Sequence, residues 1–304
     1  MSKAVVFAEY GPPEVLHVVD VAAPEPGTGQ VRVRVRAAGV QPFDCLFRSG
    51  GARQRFPATF PQRLGNELAG VVDAVGPDAS RFAIGSEVLG WSVLASAAEH
   101  VVVSEKDLVA KPASMPWPEA GALSASGQTA STAIERLAVR AGETVVVHAA
   151  AGGVGSFAVQ IARAAGATVI GTASAKNHDY LRSLGATPVL YGDGLVDRVR
   201  AAAPRGVTAA LIAVGSEEAF VASRALVADP KRVGTIAFHP LADELGVARL
   251  TTDRSATRLA ALTALHERGE LRISIQEAYP FERAADAHRA MESGHVRGKI
   301  VLVP

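Results

Sequence analysis

A glycine-rich turn is the part of this sequence whose residue types and spacing most clearly predict chemistry. Within residues 144–170, a β-branched run leads into the turn, a helical pattern follows it, and a second β-branched run closes a unit of about 30 residues. The turn has the spacing Ala150-x-Gly152-x-x-Gly155, the dinucleotide fingerprint with alanine in place of its first glycine. We predict that the turn and the start of the helix bind a nucleotide pyrophosphate. The predicted contact residues are Ala151, Gly152, Gly153, Val154 and Gly155.

The residues after the second β-branched run indicate which nucleotide binds. A site selective for NAD carries an Asp or Glu about 20 residues past the glycines, where it binds the ribose 2′-hydroxyl. This sequence has no acid there and offers the hydroxyl of Ser174 and the cation of Lys176 instead. A plainer interpretation makes Ser174 a helix N-cap and Lys176 a solvated first-turn residue, although a lysine there opposes the helix dipole. The combination favours NADPH as the cofactor.

The rest of the chain predicts the elements that position these residues. Residues 1–120 are typical of a compact β-barrel, with short strand patterns at 3–7, 15–20, 31–38, 69–75, 87–89 and 99–103. After residue 118, helical stretches alternate with β-branched runs at 144–148, 168–171, 188–190, 209–213 and 232–237. This alternation predicts a doubly wound parallel sheet, and thus an α/β fold. A helix at 253–268, a strand at 271–275, a helix at 281–292 and a strand at 299–303 complete the chain.

The composition argues against several classes of partner and compartment. A net charge of +1 gives no reason to expect nucleic acid or an anionic membrane surface as a partner, and we predict neither. Cys45 is the only cysteine, which excludes an intramolecular disulfide and a multi-thiolate metal site. No segment supplies the roughly 20 apolar residues of a membrane span, and residues 1–11 lack the apolar region of a signal peptide. These features predict a cytoplasmic protein.

Several stretches, in order along nearly the whole chain, resemble the zinc-independent quinone oxidoreductases of the medium-chain dehydrogenase/reductase superfamily. They are EYGPPEVL at residues 9–16, AAGVQPFD at 37–44, GNELAGVV at 65–72, AAAGGVG at 149–155, LGA at 184–186 and RGKIVL at 297–302. The resemblance implies a GroES-like β-barrel catalytic domain at residues 1–122 and 269–304. It also implies a Rossmann NADPH-binding domain at residues 123–268, in keeping with the doubly wound sheet.

The resemblance further implies that no metal is bound. Zinc-containing members of the superfamily use a Cys and a His as catalytic ligands, and Gln41 and Asn66 match those two positions. Amide side chains are not zinc ligands of the usual thiolate or imidazole kind. A metal-free site suits hydride transfer to a conjugated acceptor, because the resulting anion is delocalised and hydrogen bonds can stabilise it. We therefore expect reduction of quinones or α,β-unsaturated carbonyls by NADPH.

Roles for individual residues also follow from the resemblance. Gln41, Asp44 and Thr129 match positions beside the nicotinamide, where they would be catalytic, although the family usually has Asn at the first of these. The remaining matches are to cofactor contacts: Tyr191 beside the adenosine phosphate, and Phe238 and His239 in the loop that closes over the nicotinamide.

Three side chains, those of Thr129, His148 and Lys299, have a plainer structural interpretation. Thr129 could bond to its own helix backbone. His148 is interpreted as a satisfied core residue at the end of a strand, and Lys299 is either a solvated strand residue or a contact.

Two departures from the family leave the acceptor open. The tyrosine common in the family shortly after Asp44 is absent, and the region 239–250 is short. An enoyl or enone reductase that tailors a biosynthetic intermediate is therefore an alternative within the same class. A non-catalytic NADPH-binding protein is the alternative from a different class, since a fold alone does not guarantee activity.

An apolar segment at 246–250 predicts how the chain assembles. It is expected to form a short strand at the edge of the Rossmann sheet, and an exposed edge is most commonly covered by pairing across a two-fold axis. We therefore predict a homodimer.

Overall fold

The structure, a computed structural model, describes residues 1–304, which divide into two compact units. The first unit contains Met1–Ala125, Ser255–Glu267 and Ile273–Pro304, and the second contains Ser126–Arg254 and Arg268–Arg272. These units differ from the predicted domains mainly at residues 255–267. That helix packs against the strand Leu108–Ala110 and so groups with the first unit, whereas the prediction placed it in the Rossmann domain.

The helices and strands fall into three parts along the chain. The first part of the chain is strand-rich and contains β1 (Ser2–Phe7), β2 (Leu16–Val21), β3 (Gln30–Val40), α1 (Pro42–Arg48), β4 (Gln62–Arg63), β5 (Leu68–Val75), β6 (Glu87–Gly90), β7 (His100–Ser104), β8 (Leu108–Ala110) and α2 (Trp117–Arg136). The middle part alternates strand and helix through β9 (Thr144–His148), α3 (Gly153–Ala164), β10 (Thr168–Ala173), α4 (His178–Ser183), β11 (Thr187–Leu190), α5 (Leu195–Ala202), β12 (Ala209–Ile212), α6 (Glu217–Leu226), β13 (Val233–Thr235), α7 (Leu241–Glu244) and β14 (Ala248–Arg249). The last part contains α8 (Ala256–Glu267), β15 (Ile275–Pro280), α9 (Ala284–Glu292) and β16 (Lys299–Val303).

The first unit is built on two β-sheets. One sheet has the order β2-β1-β4, and the other has the order β15-β16-β3-β5-β6-β8, with β7 also paired to β3. The C-terminal strand β16 pairs antiparallel with β3 through Ile300↔Val40 and Leu302↔Ala38. The end of the chain therefore completes the unit that its beginning starts.

Strand β1 explains why residues 4–7 are continuously apolar. Ala4 and Val6 pack into one hydrophobic cluster, while Val5 and Phe7 pack into another. Successive side chains of a strand point to opposite faces, so a strand covered on both faces has no polar side.

The second unit is a six-stranded parallel sheet in the order β11-β10-β9-β12-β13-β14. Numbered within the unit, this order is 3-2-1-4-5-6, which is the arrangement of dinucleotide-binding doubly wound sheets. The predicted doubly wound sheet is therefore confirmed. The order reverses between β9 and β12, and ligands of such sheets bind at this point, outside the carboxyl ends of the strands.

The predicted strand at 271–275 is wrong, because the strand begins only at Ile275. Leu271 and Ile273 are buried, which gives the segment its strand-like alternation. The backbone of Arg272 is paired with a side chain and not with a strand: Gln160 accepts from its N–H at 2.7 Å and donates to its carbonyl at 3.0 Å. A period-two pattern reports alternating burial, and here the burial occurs without a β-ladder.

Candidate active site

The turn after β9 presents backbone N–H groups at the start of α3. Gly152 is the N-cap residue of α3, and its carbonyl accepts from the N–H of Ser156 at 2.9 Å. The N–H groups of the first turn of a helix have no partner within it, so they are available to an anion. The positive φ of the turn, 53°, falls on Ala149. A non-glycine residue in this region costs roughly 1–2 kcal/mol, so the turn stores strain beside the predicted pyrophosphate site.

Gly152 and Gly155 of the fingerprint turn are glycines for different steric reasons. A Cβ on Gly155 would collide with the carbonyl oxygen of Ala149 and would lie 2.7 Å from the Cα of Ala150. Gly155 is therefore required for α3 to pack against the turn. A Cβ on Gly152 would meet only the Ala149 oxygen, at 3.4 Å, which is an ordinary contact. The protein leaves room at Gly152, so a ligand that approaches the backbone is the remaining physical reason for a glycine there.

Ser174 and Lys176 follow β10 at the same edge of the sheet as the turn. Parallel pairing of β10 with β9 brings the carboxyl ends of both strands together, with Gly171 opposite Val147. Ser174 occupies the N-cap position of a short 3-10 turn, but its hydroxyl caps no backbone N–H. Lys176 is exposed and makes no hydrogen bond or ion pair with the protein. The N-cap interpretation is therefore right about the position of Ser174 and wrong about its bond.

The loop that carries Tyr191 is fixed by an arginine that sequence reasoning missed. Tyr191 directly follows β11 and is 52% exposed. The guanidinium of Arg198, on α5, donates to the carbonyl oxygens of Leu190, Gly192 and Asp193 at 2.9, 2.8 and 2.6 Å. Three charge-assisted hydrogen bonds hold the loop and therefore restrict where the Tyr191 ring can lie.

Phe238 and His239 follow β13, and their side chains have different surroundings. Phe238 is 64% exposed. The ring of His239 stacks on Phe220 of α6, with centroids 4.9 Å apart, and its Nδ1 accepts from the N–H of Leu241 at 3.3 Å. The ring of His239 thus packs on its own unit, while Phe238 carries the accessible surface of the pair.

Thr129 lies in α2 and is tied to the segment before α8. Its hydroxyl is 2.7 Å from that of Thr252. One turn further along, the hydroxyl of Thr132 does bond to the helix backbone, at the carbonyl oxygen of Gln128, 2.8 Å away. The tie to Thr252 shows that Thr129 contacts a second segment of the same unit.

Gln41 and Asp44 form the N-terminus of α1 in the first unit. Gln41 is the N-cap residue, Pro42 is the first helical residue, and a carboxylate oxygen of Asp44 accepts from the N–H of Gln41 at 2.8 Å. A side chain that reaches back from the third helical position in this way satisfies a donor that the helix itself leaves unpaired. Proline is tolerated at the first helical position because its missing N–H would have no partner there.

Asp44 is buried, and its surroundings change its acidity. Its second oxygen accepts from the amide of Asn66 at 2.8 Å, and the residue is 1% exposed. Burial raises the pKa of the Asp44 carboxyl from 3.8 to about 6, against the opposing effects of the N–H groups of Gln41 and Gly65 and of the Lys299 ammonium. Desolvation outweighs the hydrogen bonds because it disfavours the charged form.

Glu67 and Lys299 are the residues of this cluster that sequence reasoning did not assign. Glu67 is fully buried, Lys299 is 2% exposed, and the Lys299 Nζ lies 2.9 Å from a Glu67 carboxylate oxygen. The same oxygen accepts a short hydrogen bond from the Gln41 amide, and the other oxygen accepts from the N–H of Ala125 at 2.5 Å. Lys299 is therefore a buried partner of Glu67, and the solvated interpretation is wrong, while a contact with a bound ligand stays a prediction. Both residues lie in stretches that carry the family resemblance, which was the available signal.

Two further titratable side chains are buried without acting as acids or bases at neutral pH. His148 shares a 3.3 Å contact between Nδ1 and the hydroxyl of Thr172, but its Nε2 has no partner, so the core histidine is only half satisfied. Burial lowers the pKa of His148 to about 4. Cys45 is 4% exposed and faces a pocket of about 270 Å³ between α1 and α9. Burial, with the charges of Asp44 and Glu292, raises the pKa of its thiol.

The metal-ligand positions named by the resemblance hold amides that are engaged with carboxylates. Gln41 is bonded to Glu67, and Asn66 is bonded to Asp44. No three His, Cys, Asp or Glu side chains gather in a geometry that could hold a metal ion. None of the helices combines the length and the hydropathy that crossing a membrane requires.

Comparisons with known proteins match both parts of the chain. A family model for the alcohol dehydrogenase GroES-like domain matches residues 27–113, and one for zinc-binding dehydrogenases matches residues 184–302. A quinone oxidoreductase of Pseudomonas aeruginosa is 34% identical over 335 aligned positions, covering 100% of both chains. The solved quinone oxidoreductase of Coxiella burnetii is 29% identical with a TM-score of 0.89, covering 100% of this chain and 99% of that one. A mycobacterial protein solved with NADPH is 27% identical with a TM-score of 0.87, covering 99% of this chain and 100% of that one.

Proposed function

This chain belongs to the quinone oxidoreductases of the medium-chain dehydrogenase/reductase superfamily, and on that basis we propose that it is an enzyme that transfers hydride from NADPH to a quinone or an α,β-unsaturated carbonyl. The observation that carries the proposal is the end-to-end match to a quinone oxidoreductase at 34% identity. The sheet order and the fingerprint turn supply the physical basis for cofactor binding.

The residues at the carboxyl edge of the second sheet fit NADPH. Gly152 has open space where the backbone would meet a pyrophosphate, and the α3 N-terminus faces it with free N–H groups. Ser174 and the unpaired Lys176 supply a hydroxyl and a cation for the 2′-phosphate. Tyr191 would flank the adenosine phosphate, and Phe238 would cover the nicotinamide, followed in the same loop by His239. When bound, NADPH supplies the hydride, so the protein contributes binding, orientation and electrostatics.

In the first unit, the amide of Gln41 is the group we assign to the acceptor oxygen. Reduction of a conjugated acceptor places negative charge on that oxygen, and a preorganised N–H donor stabilises it. Asp44 is 1% exposed, so it acts through the N–H of Gln41 and the amide of Asn66 and is a positioning residue. Thr129, held by Thr252, is assigned to the nicotinamide side of the reaction.

An NADPH-oxidation screen tests the proposed function. Quinones, enones and enoyl thioesters are offered separately, and the rate with NADPH is compared with the rate with NADH. Turnover of quinones and simple enones with NADPH is the expected result. Saturation of one enoyl substrate with little quinone turnover would instead identify the enoyl or enone reductase. Tight NADPH binding without oxidation across the panel would identify the non-catalytic protein and contradict the proposal.

We also propose that the reaction needs no zinc. The donor set supports this, because amides stand at both ligand positions and residues 184–302, which match the zinc-binding dehydrogenase model, contain no cysteine. Exhaustive chelation should leave the rate and the melting temperature unchanged. Stoichiometric zinc that is lost together with activity, measured by atomic absorption, would contradict this.

We further propose a cytoplasmic homodimer. A single buried, unpaired cysteine suits a reducing compartment. β14 is the last strand of its sheet, so its outer edge has no neighbour within the unit. The N–H of Leu250 bonds inward to Thr235 at 2.8 Å, and because N–H direction alternates along a strand, the N–H of Arg249 points outward. An outward donor on an edge strand is available to a second copy of the chain.

A further inference from the structure

We propose that the buried ion pair of Glu67 and Lys299 positions the side-chain amide of Gln41, and that this fixed amide orientation is required for reduction of the acceptor. Neither residue touches the acceptor in this arrangement, so both are positioning residues. The inference rests on the proposed function, in which Gln41 contacts the acceptor.

The three residues lie at the ends of three neighbouring strands. Gln41 directly follows β3, Glu67 directly precedes β5, and Lys299 begins β16, while the sheet order places β3 between the other two. The Lys299 ammonium and the Gln41 amide meet the same oxygen of Glu67. The sheet therefore brings together residues that are distant in the chain, with 232 positions between Glu67 and Lys299.

Space and backbone fix the carboxylate between them. The second oxygen of Glu67 accepts from the N–H of Ala125, within α2, at 2.5 Å. A Cβ on Gly39 would collide with the Glu67 carboxylate, so the glycine leaves the volume that the carboxylate fills. With both oxygens bonded and the side chain fully buried, the carboxylate has little freedom to turn.

A fixed carboxylate dictates which way the Gln41 amide faces. An ionised carboxylate only accepts hydrogen bonds, so the Gln41 amide must turn its NH₂ group toward Glu67. The Gln41 side chain in turn accepts from the backbone N–H of Asp44 in the capping box of α1. One hydrogen of the NH₂ group bonds to Glu67, which leaves the second hydrogen as the donor for the acceptor oxygen. Because Lys299 also only donates, the Glu67 oxygen that it shares with Gln41 is held as an acceptor, and the NH₂ group stays on this side.

Removing both charges while keeping an amide at position 67 should reverse Gln41. In Glu67→Gln alone, the Lys299 ammonium holds the new carbonyl oxygen on the side of Gln41, so Gln41 keeps its orientation. In Glu67→Gln combined with Lys299→Met, the new carbonyl oxygen can accept from the N–H of Ala125, which leaves the new NH₂ group facing Gln41. Two NH₂ groups cannot bond to each other, so Gln41 turns its carbonyl oxygen inward, and that oxygen then stands where the acceptor oxygen needs a donor.

A double-mutant cycle tests the coupling, with 1,4-benzoquinone as the acceptor. We expect the variant Glu67→Gln with Lys299→Met, and separately Gln41→Met, each to lower kcat by about 10- to 100-fold, the cost of losing or misplacing an oriented group, while the Kd for NADPH stays unchanged. All three substitutions together should be no slower than the slower of these two variants, because the ion pair acts through Gln41. Glu67→Gln alone should retain more activity than the variant without both charges. Multiplied losses in the combined variant would overturn the inference, as would an unimpaired Gln41→Met.

A second Lys–Glu ion pair of the same unit provides the control. Lys111 lies 3.0 Å from Glu87, their side chains are 4% and 49% exposed, and the pair does not contact Gln41. Glu87→Gln combined with Lys111→Met should leave kcat unchanged. Removing both charges of a buried pair costs less stability than removing one partner, so the paired substitution at Glu67 and Lys299 is the variant expected to fold.

The positioning can also be measured without turnover, which separates this inference from the proposed function. The side-chain amide protons of Gln41 should exchange slowly with solvent in the unmodified protein and quickly in the variant Glu67→Gln with Lys299→Met, as measured by NMR. Equal exchange in the two proteins would overturn the positioning role even if quinone is reduced. A protected amide in a protein that does not oxidise NADPH would leave the positioning intact and refute only the proposed function.

Discussion

At the scale of single residues, the charge of Lys176 is informative because no group of the protein pairs with it. Other charged side chains of the second unit have partners within the protein, such as Arg182 with Asp179 and Arg198 with its loop carbonyls. A lysine near the start of a helical segment also faces the positive end of the helix dipole. A bound anion would relieve both, and the 2′-phosphate of NADPH is the anion that we propose for this edge.

Replacing Lys176 should therefore change cofactor preference. Lys176→Ala is expected to weaken NADPH binding by about 1–3 kcal/mol, the value of a charge-assisted hydrogen bond, and to leave NADH binding nearly unchanged. Fluorescence titration with each cofactor measures both constants. Lys231→Ala, another exposed lysine of the second unit, is the control and should affect neither. Equal losses for NADPH and NADH in Lys176→Ala would contradict a role at the 2′-phosphate.

Asp44 should make the stability of the protein depend on pH in an unusual direction. Burial raises the pKa of its carboxyl from 3.8 to about 6, with Glu67 adding to the shift and Lys299 opposing it. The native state therefore holds a proton that the unfolded chain releases, so this contribution is full below about pH 4 and is lost as the pH rises to about 6. A shift of two pKa units corresponds to about 3 kcal/mol.

The Asp44→Asn variant isolates this effect. Urea unfolding between about pH 4 and pH 7 should show that the variant lacks the decline found in the unmodified protein, a difference on the order of 2–3 kcal/mol. Asp179→Asn, at an exposed ion pair, should keep the decline. Parallel stability curves for Asp44→Asn and the unmodified protein would mean that the carboxyl titrates alike in both states.

Residue identity alone could not predict the buried cluster around Gln41. Lys299 begins a strand, and alternation such as that which puts Arg32 and Arg34 on the polar face of β3 made a solvated lysine plausible. What decides its burial is the carboxylate of Glu67, more than 200 positions away in the sequence. Periodicity describes one element at a time, so a charge buried by its partner in another element leaves no local trace. The family stretches contained Glu67 and Lys299, but not the information that they meet.

At the scale of elements, the fingerprint turn allows binding and packing to be separated by two similar substitutions. Gly152→Ala should fold normally, since its Cβ would meet only one atom at 3.4 Å, but should bind NADPH at least about 10-fold more weakly because the Cβ occupies the approach of the pyrophosphate. Gly155→Ala should lower the free energy of unfolding by about 1–3 kcal/mol, because its Cβ collides with the backbone. Thermal unfolding and NADPH titration distinguish them. Equal destabilisation by both substitutions would contradict the assignment.

Elements of the second unit were more predictable than those of the first for a physical reason. The strand at 144–148 was predicted to the residue, since a parallel strand covered on both faces is a continuous apolar run with sharp ends. The two-residue strand β4 and the three-residue strand β8 carry too few side chains for a pattern. Where a segment is extended but pairs with a side chain, as Arg272 does with Gln160, the pattern predicts a strand that the backbone does not form.

At the scale of the whole molecule, the edge strand β14 gives a direct test of the homodimer. Val247 is unsuited to a proline substitution, because its N–H already donates to Ala242 at 2.8 Å within the unit. Arg249→Pro removes the outward N–H, and proline is tolerated on an edge strand where the N–H faces solvent. Light scattering should give twice the chain mass for the unmodified protein and for Arg249→Ala, and the single mass for Arg249→Pro. A single mass for the unmodified protein would refute the dimer.

The one thiol of the chain has a consequence for how long such an enzyme can work. Quinones and enones alkylate thiols, and the attacking species is the thiolate. Cys45 borders a pocket, so distance from the surface does not by itself protect the thiol from small molecules. Burial beside Asp44 and Glu292 raises the pKa of the thiol and keeps the proton on sulfur. A catalyst of quinone reduction is surrounded by reagents that inactivate proteins. This chain carries a single site for such damage and holds it in its unreactive form.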